Sequence, residues 1–124
     1  MGTATFEVGG VDLGAVEAGF DTNFALAGLQ VGGVDTASVQ LLNRYDNQSN
    51  WTGAEALYVD TLAIGRYSTL NLNGLNVYYR NLDNKGTIAT MGGSLTQVVP
   101  EPGSLALLLA GAMTVLIRRG RAGI

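Results

Sequence analysis

Residues 8–12 read VGGVD, and residues 31–35 read VGGVD again, 23 positions later. A second phrase, Gly28-Leu29-Gln30-Val31, returns as Gly74-Leu75-Asn76-Val77 after 46 positions, twice that interval. Around them an apolar-Asp pair, with a β-branched residue five or six places after its start, recurs four times: Val11-Asp12 with Val16, Val34-Asp35 with Val39, Val59-Asp60 with Ile64, and Leu82-Asp83 with Ile88. The successive spacings are 23, 25 and 23 residues. A fixed period of this size is the length of one turn of a repeat architecture in which short strands go once round and stack on the next turn. The pattern predicts an all-β fold, a short parallel β-solenoid of the right-handed β-helix kind with about four coils.

Short alternations support strands of three to six residues: Thr61 to Ile64, Leu70-Asn71-Leu72 and Val77 to Leu82, bounded by Gly65, Gly74, Asn84 and Gly86. The same strands at short, even intervals also describe an antiparallel β-sandwich, which is the alternative architecture. A helical bundle is excluded by composition. Eighteen glycines and 14% charged residues in 124 positions are the reverse of what helix propensity favours. The chain has neither cysteine nor histidine, which removes disulfides, thiolate metal sites and the commonest general base together.

Charge divides the chain in two. Residues 1–99 carry nine acids against four bases, whereas residues 100–124 carry Glu101 against Arg118, Arg119 and Arg121. An acidic body is a poor partner for nucleic acid, because phosphate binding needs basic side chains to displace counterions. The basic end follows a distinctive block, VVPEPGSLALLLAGAMTVLIRRGRAGI, residues 98–124. Pro100 and Pro102 disfavour helix upstream, Ser104 can cap one, and Gly103 to Ile117 is fifteen residues without a charge. As a helix this run reaches about 22 Å, a thin membrane span, and arginines accumulate on the cytoplasmic side of such spans. The expectation is a single C-terminal transmembrane helix over 103–117 with the body, residues 1–98, outside.

Val99-Pro100-Glu101-Pro102, the apolar run and Arg118, Arg119 and Arg121 together resemble the PEP-CTERM sorting signal of exported bacterial proteins. The resemblance covers residues 99–121. It implies that Val99 to Pro102 form the processing motif read by an exosortase, a membrane-embedded transpeptidase-like enzyme, and that the arginines set membrane orientation. It further implies transient residence in the inner membrane, then release to the cell surface or extracellular space, in the company of exopolysaccharide and biofilm matrix. The first twenty residues, MGTATFEVGGVDLGAVEAGF, contain no basic n-region and no apolar h-region. Residues 1–98 are therefore read as the C-terminal part of a longer protein.

Chemistry in the body is sparse. Asp12, Asp35, Asp60 and Asp83 would form a column of carboxylates if the period governed the fold, but the nine-residue calcium repeat is missing, and they are read as turn residues with no metal. The aromatics Tyr45, Trp51, Tyr58, Tyr67, Tyr78 and Tyr79 fall within one stretch. Trp51, Tyr78 and Tyr79 are the candidate glycan contacts, with the restriction that Tyr78 and Tyr79 are adjacent on a strand and point to opposite faces, so that at most one is buried. Tyr79 and Arg80 beside Asp60 or Asp83 are the only material for acid–base catalysis, and nothing in the spacing unites them. The sequence thus points to a non-enzymatic surface or matrix protein without a cofactor, the alternative being a carbohydrate-binding module or a fragment of a polysaccharide-active solenoid.

Overall fold

The structure, a computed structural model, describes residues 2–21, 23–45, 53 and 55–99. Within these the chain forms nine strands: β1 (Ala4–Glu7), β2 (Gly10–Val11), β3 (Leu26–Val31), β4 (Ser38–Leu42), β5 (Glu55–Ile64), β6 (Thr69–Asn71), β7 (Asn76–Asn84), β8 (Thr87–Ala89) and β9 (Ser94–Gln97). One short 3-10 helix, Glu17–Phe20, lies between β2 and β3. The first sheet has the order β1-β4-β6-β8, and the second runs β2-β5-β7-β9 with β3 also on β5. After β1 and β2 the chain crosses back and forth between the sheets, so each crossing adds one strand to each.

This arrangement corrects the expected regular solenoid. The second sheet is mixed: β2 runs antiparallel to β5, with Gly10 opposite Ala56, while β3 and β7 run parallel to β5. Nor does a 23-residue period set the register. In the first sheet Ala4 pairs with Val39, Ser38 with Thr69, and Thr69 with Thr87, steps of 35, 31 and 18 residues. The two VGGVD phrases are not equivalent: one leads into β2, the other forms the turn after β3. The antiparallel sandwich is corrected too, because every pairing except that of β2 is parallel. Among the described residues no helix is long and apolar enough to cross a membrane; the span expected over 103–117 lies outside them.

The sequence explains the layers. In β5, Leu57 and Val59 point inward, then Leu62 and Ile64, so the two-residue alternation slips by one at Asp60-Thr61. Because side chains alternate across a strand, such a slip bends it and keeps both halves facing the core. Stacked on them, Val31, Leu41, Leu70, Leu72 and Val77 complete a core that is at most 2% exposed. At the corner leading into the second sheet, Asn73-Gly74 and Met91-Gly92 repeat one tight turn in consecutive layers, with φ of 53° and 78°, then 51° and 91°. Each turn closes on itself, Leu75 N–H to Leu72 C=O and Gly93 N–H to Thr90 C=O, both at 2.9 Å. Two successive left-handed residues are what such a turn demands, and Asn-Gly and X-Gly meet that demand.

Leu70 lies fully buried in the middle of this stack whereas Leu82 is 37% exposed near the end of β7. Leu70→Ala is expected to destabilise the fold by about 2–5 kcal/mol, through lost transfer energy plus the cavity left behind. Leu82→Ala should cost about 1 kcal/mol or less. Urea denaturation of the two variants checks the order; equal losses would contradict the assigned core.

Candidate functional site

Both faces of the second sheet are covered, and the outer cover is where polar chemistry collects. Residues 12–21 leave β2 and pass through the 3-10 helix, and with residues 23–25 they lie as a strap across the outer face of β5 and β7. The strap crosses a second apolar cluster of Ala56, Tyr58, Tyr78 and Val98, onto which Phe20 and Ala25 pack. The Tyr58 and Tyr78 rings stack with centroids 4.7 Å apart, and Phe20 meets Tyr58 edge-on at 5.3 Å. Gly19 makes the close approach possible, since a Cβ at that position would overlap the Tyr58 ring.

Hydrogen bonds fasten the strap on both sides of the ring stack. Asp12 Oδ1 accepts from the Tyr78 hydroxyl at 2.7 Å and from the Gly14 N–H at 3.0 Å, while Oδ2 accepts from the Asn76 amide at 2.8 Å. The Tyr58 hydroxyl donates to the Gly14 carbonyl at 2.6 Å and accepts from the Leu13 N–H at 3.0 Å. Asn23, 5% exposed, uses its side-chain amide to hold Val11 N–H and C=O and the Gly19 carbonyl. On the far side Arg80 pairs with Glu17, lies 4.0 Å above the Phe20 ring and comes within 3.8 Å of Asp60. Among the described residues no buried side-chain nitrogen or oxygen lacks a partner.

This electrostatic setting stabilises the neutral tyrosines. Burial raises the Tyr78 hydroxyl well above the usual phenol range, reinforced by its hydrogen bond and charge interaction with Asp12. Tyr58 is raised mainly by burial, against the opposing Leu13 N–H. Glu17 in turn raises Arg80. A phenolate nucleophile is the one species this site disfavours, and both Asp12 oxygens are already engaged. What the arrangement does is clamp the strap.

The candidate glycan contacts separate. Tyr78 is 6% exposed with its ring stacked, so it offers no open face to a sugar. Tyr79 points the other way and packs half-buried against the main core. The adjacent tyrosines face opposite sides, as expected, and only Tyr78 is fully buried, because the strap gives the outer side its own apolar cover while Tyr79 stays partly exposed. Trp51 lies outside the described residues, as do Pro100, Glu101, Pro102, Arg118, Arg119 and Arg121. Val99 is described and is 60% exposed.

The four aspartates form no column. Asp12 is in the strap, Asp35 in the turn after β3, Asp60 at the bend of β5 level with Arg80, and Asp83 opposite Ala63. Among the described residues no three His, Cys, Asp or Glu side chains come together as a metal site. Sequence reasoning missed Asp12 as partner of Tyr78, 66 residues away, and missed Glu55, which is 2% exposed at the start of β5. With its amide turned so that nitrogen faces the carboxylate, Asn43 donates to Glu55 Oε1 at 3.0 Å and accepts from the Glu55 N–H at 3.2 Å. An apolar groove of about 470 Å³ opens between Phe6, Phe24, Leu26 and Leu57.

The raised tyrosines fix a pH dependence. A group with a higher pKa folded than unfolded contributes stability that is complete below the unfolded value, here about 10 for tyrosine, and is lost as pH rises above it. Alkaline titration followed by tyrosinate absorbance should show Tyr58 and Tyr78 ionising last, together with unfolding. Asp12→Ala, which removes three hydrogen bonds, should lower the stability at neutral pH by about 1–3 kcal/mol. All five tyrosines ionising together in the folded protein would contradict the clamp.

No family model matches the chain, and comparison with curated proteins and with solved structures returns no significant match.

Proposed function

We propose that the chain is an exported bacterial surface or extracellular-matrix protein, structural in role, delivered through a PEP-CTERM sorting signal and associated with exopolysaccharide. The observation that carries this reading is the order of three parts in the sequence: Val99-Pro100-Glu101-Pro102, the uncharged run 103–117, and Arg118, Arg119 and Arg121. Its specific partner is an exosortase acting on the Pro-Glu-Pro segment outside the membrane, with the apolar run and the arginines holding that segment in place.

The end of the folded body supports the reading in one further respect. Val98 is 3% exposed and its N–H donates to the Tyr79 carbonyl at 2.7 Å, whereas the next residue, Val99, is 60% exposed. Val98, fastened to β7, thus directly precedes the proposed processing motif. A processing enzyme needs an accessible, extended segment, and each proline holds the residue before it out of the helical region.

Glu101→Ala should leave the protein at the membrane and unprocessed in a host that contains the sorting enzyme, because specificity lies in the motif. Replacing both Leu108 and Leu109 by Asp should abolish membrane association, since each Asp costs about 2.5–3.5 kcal/mol at the centre of a span. Cell fractionation with immunoblotting reads both. A Glu101→Ala protein processed at the normal rate would remove the sorting assignment and leave only an apolar tail.

A further inference from the structure

The two ends of the strand stack are unlike ordinary sheet edges. Among the described residues β1 and β3 pair only inward, with β4 and β5, and β8 and β9 pair only inward, with β6 and β7. Proteins blunt free edges with lysine, proline, bulges or inward charges, because an unpaired row of N–H and C=O groups is a template for another strand. Here β3, β8 and β9 contain no charged residue, and from Gly86 to Val99 there is none at all. The one charge in β1, Glu7, turns its carboxylate onto the Arg44 and Tyr45 N–H groups. Of the other charged strand residues, Glu55 and Asp60 lie in the middle of the stack, whereas Arg80 and Asp83 stand on the part of β7 that runs past its pairing with β9.

The ends also match each other. Strands run in the same direction throughout the first sheet, so the edge of β8 in one molecule has the polarity that β1 of a second molecule needs; in the second sheet β3 is in register with residues 79–84 of β7, whereas β9 covers β7 only over 76–79. The inward column Val39, Leu70 and Ile88 begins with Ala4, and the outward column Ser38, Thr69 and Thr87 begins with Thr3, whose hydroxyl reaches Ser38 Oγ at 3.4 Å. Core side chains are left half-buried at both ends, Phe6, Leu26 and Leu29 at one and Ile88 and Leu95 at the other. Met91, 66% exposed, stands at the corner of the last layer that corresponds to the groove of Phe6 and Phe24 in the first.

We infer that two copies of this chain associate head to tail, β8 of one continuing onto β1 of the next. The contact is heterologous, so repetition yields an open filament rather than a closed dimer. In the first sheet, direction, the shared register and the absence of charge in β8 select a second copy as the occupant, and the inference stands independently of how the tail is processed.

The chain has no cysteine, which allows an unambiguous test. In the proposed register, residue 87 of one copy lies beside residue 3 of the next at the strand spacing of about 4.8 Å, within reach of a disulfide. Full-length Thr3→Cys and Thr87→Cys proteins, both at exposed positions, are mixed in mild detergent and oxidised. Mixed disulfide dimers should exceed either homodimer at least tenfold, and the unmodified chain should sediment faster as its concentration rises. Adding Ala4→Lys to the Thr3→Cys protein places a charge at an exposed edge position opposite Ile88 and should abolish the mixed dimer while leaving the β circular-dichroism spectrum unchanged. Homodimers equal to mixed dimers, or a single species at all concentrations, would overturn the proposal.

Discussion

Everything in the body hangs on β5. It alone pairs with three strands: β2 along its first residues, β3 along its second half and β7 along nearly its whole length. Its inward residues Leu57, Val59, Leu62 and Ile64 are at most 2% exposed, and its outward Ala56 and Tyr58 are buried as well. Parallel pairing fixes one register for the column, because a slip of one residue would turn every apolar side chain to the wrong face. The frame slip at Asp60-Thr61 keeps a ten-residue strand facing the core along both its halves.

Burying both faces of β5 has a consequence for the surface. A parallel sheet is normally covered on both sides, and here the second cover is supplied by the short strap after β2 rather than a long helix. Such a strap brings little apolar area of its own, so the contact depends on ring stacking between Tyr58, Tyr78 and Phe20 and on hydrogen bonds that leave no buried polar group unpaired. The strap seals one side of the second sheet with polar clamps, while β1 and β8 stand at the two ends of the first sheet.

The β class was legible from the sequence because its signals are local. Gly65, Gly74 and Gly86 fall between strands, and the alternations around Leu70 and Val77 lie within β6 and β7. The period was misleading for a physical reason: the strap between β2 and β3 and the long connection between β4 and β5 lengthen the early steps to more than thirty residues, while the later ones shrink to eighteen. Repeated phrases such as VGGVD reflect a shared preference for glycine and aspartate at turns rather than equivalent places in a stack. The clamp was illegible because Asp12 meets Tyr78 and Asn76 only through the tertiary fold. A buried tyrosine and a glycan-facing tyrosine look the same in one sequence. The proposed sorting motif, by contrast, is a linear pattern whose reading depends on no fold.

Amide hydrogen exchange on the full chain, diluted until it is monomeric, tests this hierarchy most directly. Protection should be greatest for the amides of Leu57 to Ile64, lower in the neighbouring strands, and least in β1 and β8 at the two ends of the first sheet. If β5 exchanged as fast as β1 or β8, it would not be the centre of the stack, and the account of the fold, the clamp and the open ends would fail together.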